Sequence, residues 1–195
     1  MRLPLVFAFA LAATPALADD DLAAQIDMVA PHLASGQLAE LGGPEAAEAI
    51  VAGMDGRWFT LKTTVRNWEG DGPADRDSLT RTIERTCSDT WENIVTHQVT
   101  GPGTFIVSQQ SPEGKDHGTF EVVPVANEAR TFKPSITDEA ILAMLELEDA
   151  TKVDQDKALS EVRQTLDQTV QIWRPTPDLM VNSSAKGIEV WGRCP

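Results

Sequence analysis

TVQIWRPTPDLMVNSSAKGIEVWGRC, residues 169–194, is the stretch that decides the fold. It divides into three short runs, Thr169 to Arg174, Leu179 to Ser183 and Ile188 to Arg193. Pro175-Thr176-Pro177-Asp178 separates the first two, and Ser184-Ala185-Lys186-Gly187 separates the last two. Short apolar and β-branched runs between Pro- and Gly-bearing turns read as successive antiparallel strands.

The same alternation extends upstream. Arg57 to Val65 is aromatic and β-branched, and predicts a strand. Asn93 to Val99 and Thr104 to Gln109 flank Gly101-Pro102-Gly103 and predict a hairpin. Thr119 to Val125 is a further strand, in which Pro124 points to an edge or a bulge. Asn127-Glu128 turns the chain into Arg130-Thr131-Phe132. Regular short strands with turns about every eight to twelve residues predict an α+β chain, mainly antiparallel β, with a curved sheet or a barrel.

Helices are expected in three places. From Asp19 to Met54 the chain is Ala- and Leu-rich, and Leu22, Ile26, Val29 and Leu33 recur at helical spacing. Pro31 predicts an early end or a kink there. After Gly42-Gly43-Pro44 a second helix is expected to run toward Gly53. Both are read as short helices outside the sheet, in a segment 19–54 distinct from the β domain 55–195. Asp77 to Cys87 is ambiguous: Leu79, Ile83 and Cys87 are four apart, yet Thr80, Thr82 and Thr86 suit a strand. Thr137-Asp138-Glu139 opens a helical insertion, about 137–162, before the last three strands.

Residues 1–18 read as an address. Arg2, the apolar run from Leu3 and the small residues of Ala16-Leu17-Ala18 form a secretory signal peptide, with cleavage expected after Ala18. The run is too short for the ~20 residues of a membrane span. A periplasmic or secreted product is expected. Cys87 and Cys194 are then an even count in an oxidising compartment, and predict one disulfide. A redox or metal pair has no C-x-x-C to support it. Sixteen Lys and Arg against 30 Asp and Glu give a net charge of −14, which repels phosphate backbones and argues against nucleic-acid binding.

Gly56-Arg57-Trp58, at the start of the first strand, resembles the Gly-x-Trp motif of lipocalins and other calycins. The resemblance implies an eight-stranded barrel in which Trp58 plugs one end under an arginine from near the last strand, Arg193 or Arg174. A late cysteine bonded to a mid-chain one, and a helix before the closing strands, are similar to calycin arrangements. The N-terminal helices and the long insertion depart from the family. A calycin-like barrel and another small α+β sheet domain are thus both open. The resemblance implies a small apolar ligand in the barrel mouth.

No catalytic constellation is legible. His32, His97 and His117 lack metal-ligand spacing, and His97 reads as an ordinary strand histidine. Asp154-Gln155-Asp156 begins like a calcium loop, but Ala158 and Leu159 replace the required residues. No nucleophile elbow or phosphate loop is present. No cofactor, metal or catalytic residue is therefore assigned. The tryptophans are the most suggestive feature. Trp58, Trp173 and Trp191 fall on expected strands, and Trp68 and Trp91 near turns; with Arg193 they are the candidate ligand-binding residues. The sequence thus points to a non-enzymatic binder of a small apolar ligand or of a periplasmic partner protein. An accessory or inhibitory protein acting through its surface is the alternative, and a hydrolase whose site assembles from scattered residues is the third reading.

Overall fold

In the computed structural model the described residues are 22–60, 76–89, 94–114, 116–166 and 168–195. Eight strands form one closed antiparallel barrel: β1 Gly56–Thr60, β2 Ile94–Gly101, β3 Thr104–Gln110, β4 Asp116–Pro124, β5 Thr131–Ser135, β6 Val170–Thr176, β7 Leu179–Ser184 and β8 Gly187–Arg193. Each strand pairs with its sequence neighbour, and β1 closes the ring on β8 through Trp58–Arg193, Phe59–Gly192 and Thr60–Trp191. Closure removes both sheet edges. Pro124 accordingly sits on no edge; it ends β4, opposite Phe132. Residues 1–18, read above as a signal peptide, Trp68, Trp91, the turn at 70–73 and the expected continuation of β1 to Val65 lie outside the described residues.

The helices are α1 Leu22–Ser35, a 3-10 turn Leu38–Leu41, α2 Ala47–Val51, α3 Arg76–Asp89, α4 Asp138–Met144 and α5 Lys152–Leu166. Helix α1 runs through Pro31 to Ser35. Its apolar stripe is buried to the last turn, where Leu33 still packs on the outer core. The ambiguous segment is helical: Ile83 is 4% exposed, and it and Cys87 pack with the outer core one turn apart. Thr137 caps α4, its hydroxyl accepting from the Ala140 N–H at 3.2 Å. The insertion, α4 with α5, lies between β5 and β6, where the ladder is shortest, Thr131–Gln171 and Phe132–Val170.

Two cores result. The outer one lies between the barrel wall and helices α1 and α3. It gathers Ile26 and Val29 with Phe59, Trp173, Val181 and Val190. The contact is close: a Cβ at Gly192 would lie 2.7 Å from Leu22 and 3.0 Å from the Phe59 ring. The inner core fills the lower barrel with Trp58, Phe105, Phe132, Ile172 and Met180, together with Ile50, Val51 and Met54 from α2 and the turn after it. Helix α2 is thus part of the barrel floor, a role its short apolar run did not declare. Cys87 and Cys194 form a disulfide that ties α3 to the residue after β8.

Candidate functional site: a floored barrel cavity

The floor is built on Trp58. Its ring is fully buried, and its indole N–H donates to the Met54 carbonyl at 2.9 Å. The Arg174 guanidinium carbon lies 6.0 Å from the ring centroid, within cation–π range. Arg174 then donates to the carbonyls of Ile50, Ala52 and Gly53 at the end of α2, and to Pro177. One planar fork thereby satisfies carbonyls that the end of a helix leaves without partners. Burial first, then the Arg193 charge, lower the Arg174 pKa, while Asp178 opposes them.

The two arginines divide the work. Arg174, on β6, lies over Trp58. Arg193, on the last strand, donates to the carbonyls of Gly53 and Asp55 and covers Gly56, where a Cβ would meet its Nε at 3.0 Å. Gly56 also has φ +133°, a conformation that side chains rarely adopt. The glycine two residues before Trp58 is therefore required both by backbone and by the arginine above it. Arg130 anchors the loop leading into the floor, donating to the carbonyls of Gly42, Gly43 and Pro44.

Above the floor is a cavity of about 310 Å³. One wall is hydrocarbon and aromatic, with Phe105, Val107, Phe120, Val122 and Ile172 from β3, β4 and β6. The wall of β7 and β8 is mixed, with Met180, Asn182, Ser184, Glu189 and Trp191. The cavity reaches solvent at a rim that includes the exposed residues Thr169 and Lys186. An eight-stranded barrel is just wide enough inside for side chains or one small ligand, and this one has both: side chains below, space above.

His97 stands between floor and cavity. It is 3% exposed, stacked on Trp58 at 5.4 Å between centroids and tilted against Phe105 at 5.2 Å. Burial, and secondarily the Arg174 charge, push its pKa down to about 3. The imidazole is neutral at pH 7. Its Nδ1 is buried without a hydrogen-bond partner, as are Asn182 Oδ1 and Trp191 Nε1. Those three atoms belong to residues that line the cavity.

The depressed pKa has a stability consequence with a defined sign. Below pH 6.5 the unfolded chain takes up a proton on His97 that the folded chain refuses, so the contribution is intact above pH 6.5 and lost as pH falls toward 3. At about 1.4 kcal/mol per pH unit, the loss on going from pH 7 to pH 4 is expected to be about 3 kcal/mol. Urea titrations of wild type and His97→Phe at both pH values check this. Wild type should lose about that much more than the variant; equal losses would show that the imidazole is protonated in the fold.

Of the tryptophans singled out by sequence, Trp58 forms the floor and Trp191 lines the cavity. Trp173 is buried on the opposite face of the barrel wall, under α1. Arg193 braces the floor beneath the cavity. Sequence reasoning passed over His97 and Asn182 as site residues, and it named Arg174 only as one of two partners for Trp58. His97 shares strand parity with Val95 and Val99, and that was the available signal. Among the described residues no cluster of His, Cys, Asp or Glu is arranged to hold a metal ion, and no helix is long and apolar enough to cross a membrane. Comparison of the chain with protein-family models, curated proteins and solved structures finds no match.

Proposed function

We propose that this chain is an exported, calycin-like binding protein that takes a small apolar ligand into the barrel cavity. The observation that carries the reading is the combination of a sealed floor, an apolar wall and an open rim around about 310 Å³. Small-molecule sites are concave and mostly apolar, with a few polar groups that set orientation, and this cavity has that make-up. The Cys87–Cys194 disulfide supports an oxidising compartment, in keeping with a signal peptide ending at Ala18. The Trp58 floor under an arginine, and Gly56 beneath Arg193, support kinship with calycins.

Phenylnaphthylamine, which brightens in apolar surroundings, tests the reading. It is expected to bind the mature protein with saturable enhancement. Val107→Trp, which fills the cavity from the β3 wall, is expected to weaken it by at least about tenfold, or ~1.4 kcal/mol, with unchanged far-UV circular dichroism. Absence of enhancement, or equal binding by the folded variant, would remove the cavity as the site.

A further inference from the structure

The reading of the cavity as a ligand site leads to a statement about the ligand's chemistry. We propose that the cavity selects an uncharged amphiphile whose hydroxyl or amide group hydrogen-bonds to Trp191 and Asn182 while its hydrocarbon part lies against Phe105, Phe120 and Val122.

Trp191 Nε1 and Asn182 Oδ1 are buried and have no hydrogen-bond partner within the protein. Buried polar atoms are nearly always satisfied, and leaving one unpaired is costly. The two demand opposite things: an indole N–H only donates, and an amide oxygen only accepts. They are also close. Met180 faces Trp191 and Asn182 faces Glu189 in the β7–β8 ladder. Asn182 and Trp191 are therefore diagonal neighbours on the inner face, a relation that places Cα atoms about 7–8 Å apart and leaves long side chains within reach of each other. One small group that accepts and donates can serve both. A hydroxyl or an amide does so; a carboxylate only accepts, an ammonium only donates, and an ether only accepts.

A third atom extends the pattern inward. His97 is 3% exposed and its Nδ1 has no partner. It gives a second polar point near the floor, for a ligand that carries another uncharged polar atom at its far end. Charge works against anions, and an ammonium is excluded because it cannot accept from the Trp191 N–H. The imidazole is neutral at pH 7. Glu189 stands beside Asn182 on the mixed wall, and the chain's net charge of −14 disfavours an anion. Lys186 is exposed at the rim, where water and salt screen its charge.

Competition against phenylnaphthylamine at pH 8 separates the possibilities, using octanol, its isomer heptyl methyl ether, octanoate and octylammonium. Octanol is expected to bind at least about tenfold tighter than the ether and than either ion, since a site built to exchange hydrogen bonds rejects analogues that cannot. Asn182→Leu should bring octanol and the ether to within about threefold of each other, because the ether lacks only the proton that Asn182 accepts, whereas Trp191→Phe should weaken both alcohol and ether and keep the preference, each read against the variant's own affinity for phenylnaphthylamine. Equal competition by octanol and ether, or a preference for octanoate or octylammonium, overturns this inference and leaves the cavity reading standing. Failure of phenylnaphthylamine to bind wild type overturns both.

Discussion

Loss of the Cys87–Cys194 bridge is expected to lower the free energy of unfolding by roughly 4–5 kcal/mol. The bond closes a loop with a sequence separation of 107, and a cross-link removes more entropy from the unfolded chain as the loop lengthens. Its position in the fold matters too. Cys194 follows β8, and its N–H donates to the Arg57 carbonyl at 2.8 Å, extending the β1–β8 seam by one bond. Arg57 in turn donates to the Cys87 carbonyl at 3.0 Å. Helix α3, the end of the chain and the closing seam are therefore held at one point. Both cysteines also pack against the outer core. Urea unfolding of the oxidised protein, the reduced protein and Cys87→Ser/Cys194→Ser is the check. The midpoint should fall in the latter two, and the slope should rise, because an uncrosslinked unfolded chain exposes more surface. Superimposable curves would mean that the bridge contributes nothing to the fold.

Much of the barrel could be read from the sequence because turns and strands announce themselves locally. The last two turns, Pro177-Asp178 and Ala185-Lys186, fall inside the four-residue breaks Pro175 to Asp178 and Ser184 to Gly187, and the helical insertion begins where Thr137 caps it. The disulfide followed from an even cysteine count in a chain read as exported. What the sequence hides is which side of each strand faces in. In β6 and β7 the neighbours Ile172 and Trp173, and again Met180 and Val181, are all buried, because one face meets the barrel interior and the other meets α1. A strand covered on both faces loses its apolar–polar alternation. Hence Trp173 and Trp191 looked equivalent, though they stand on opposite faces. The floor was hidden for another reason. Arg174 bonds to the Ile50 carbonyl 124 positions away, and no local pattern encodes such a contact. The Thr-rich segment before Cys87 had balanced local propensities, and burial of Ile83 decided it.

The second large effect is expected at Trp58. Trp58→Ala should cost about 3–5 kcal/mol, the range for removing a fully buried large aromatic. The ring is 0% exposed and touches three different supports: His97 stacked on it, Arg174 across it, and the Met54 carbonyl taking its N–H. Removing it leaves a void under the existing cavity that the closed barrel cannot easily collapse, because each neighbouring strand is held on both sides. Trp58→Phe separates packing from hydrogen bonding. It keeps an aromatic under Arg174 and loses only the N–H and part of the ring volume, so about 1–2 kcal/mol is expected. Arg174→Lys tests the other half of the floor. A lysine keeps the charge but cannot reach four carbonyls with a rigid fork, so its loss should exceed that of Trp58→Phe. Chemical denaturation of the three variants gives the order. A Trp58→Ala loss below about 0.5 kcal/mol, the usual range for surface positions, would mean that α2 and its arginine hold the floor without the indole. The calycin-like reading of Gly56-Arg57-Trp58 would then lose its physical basis.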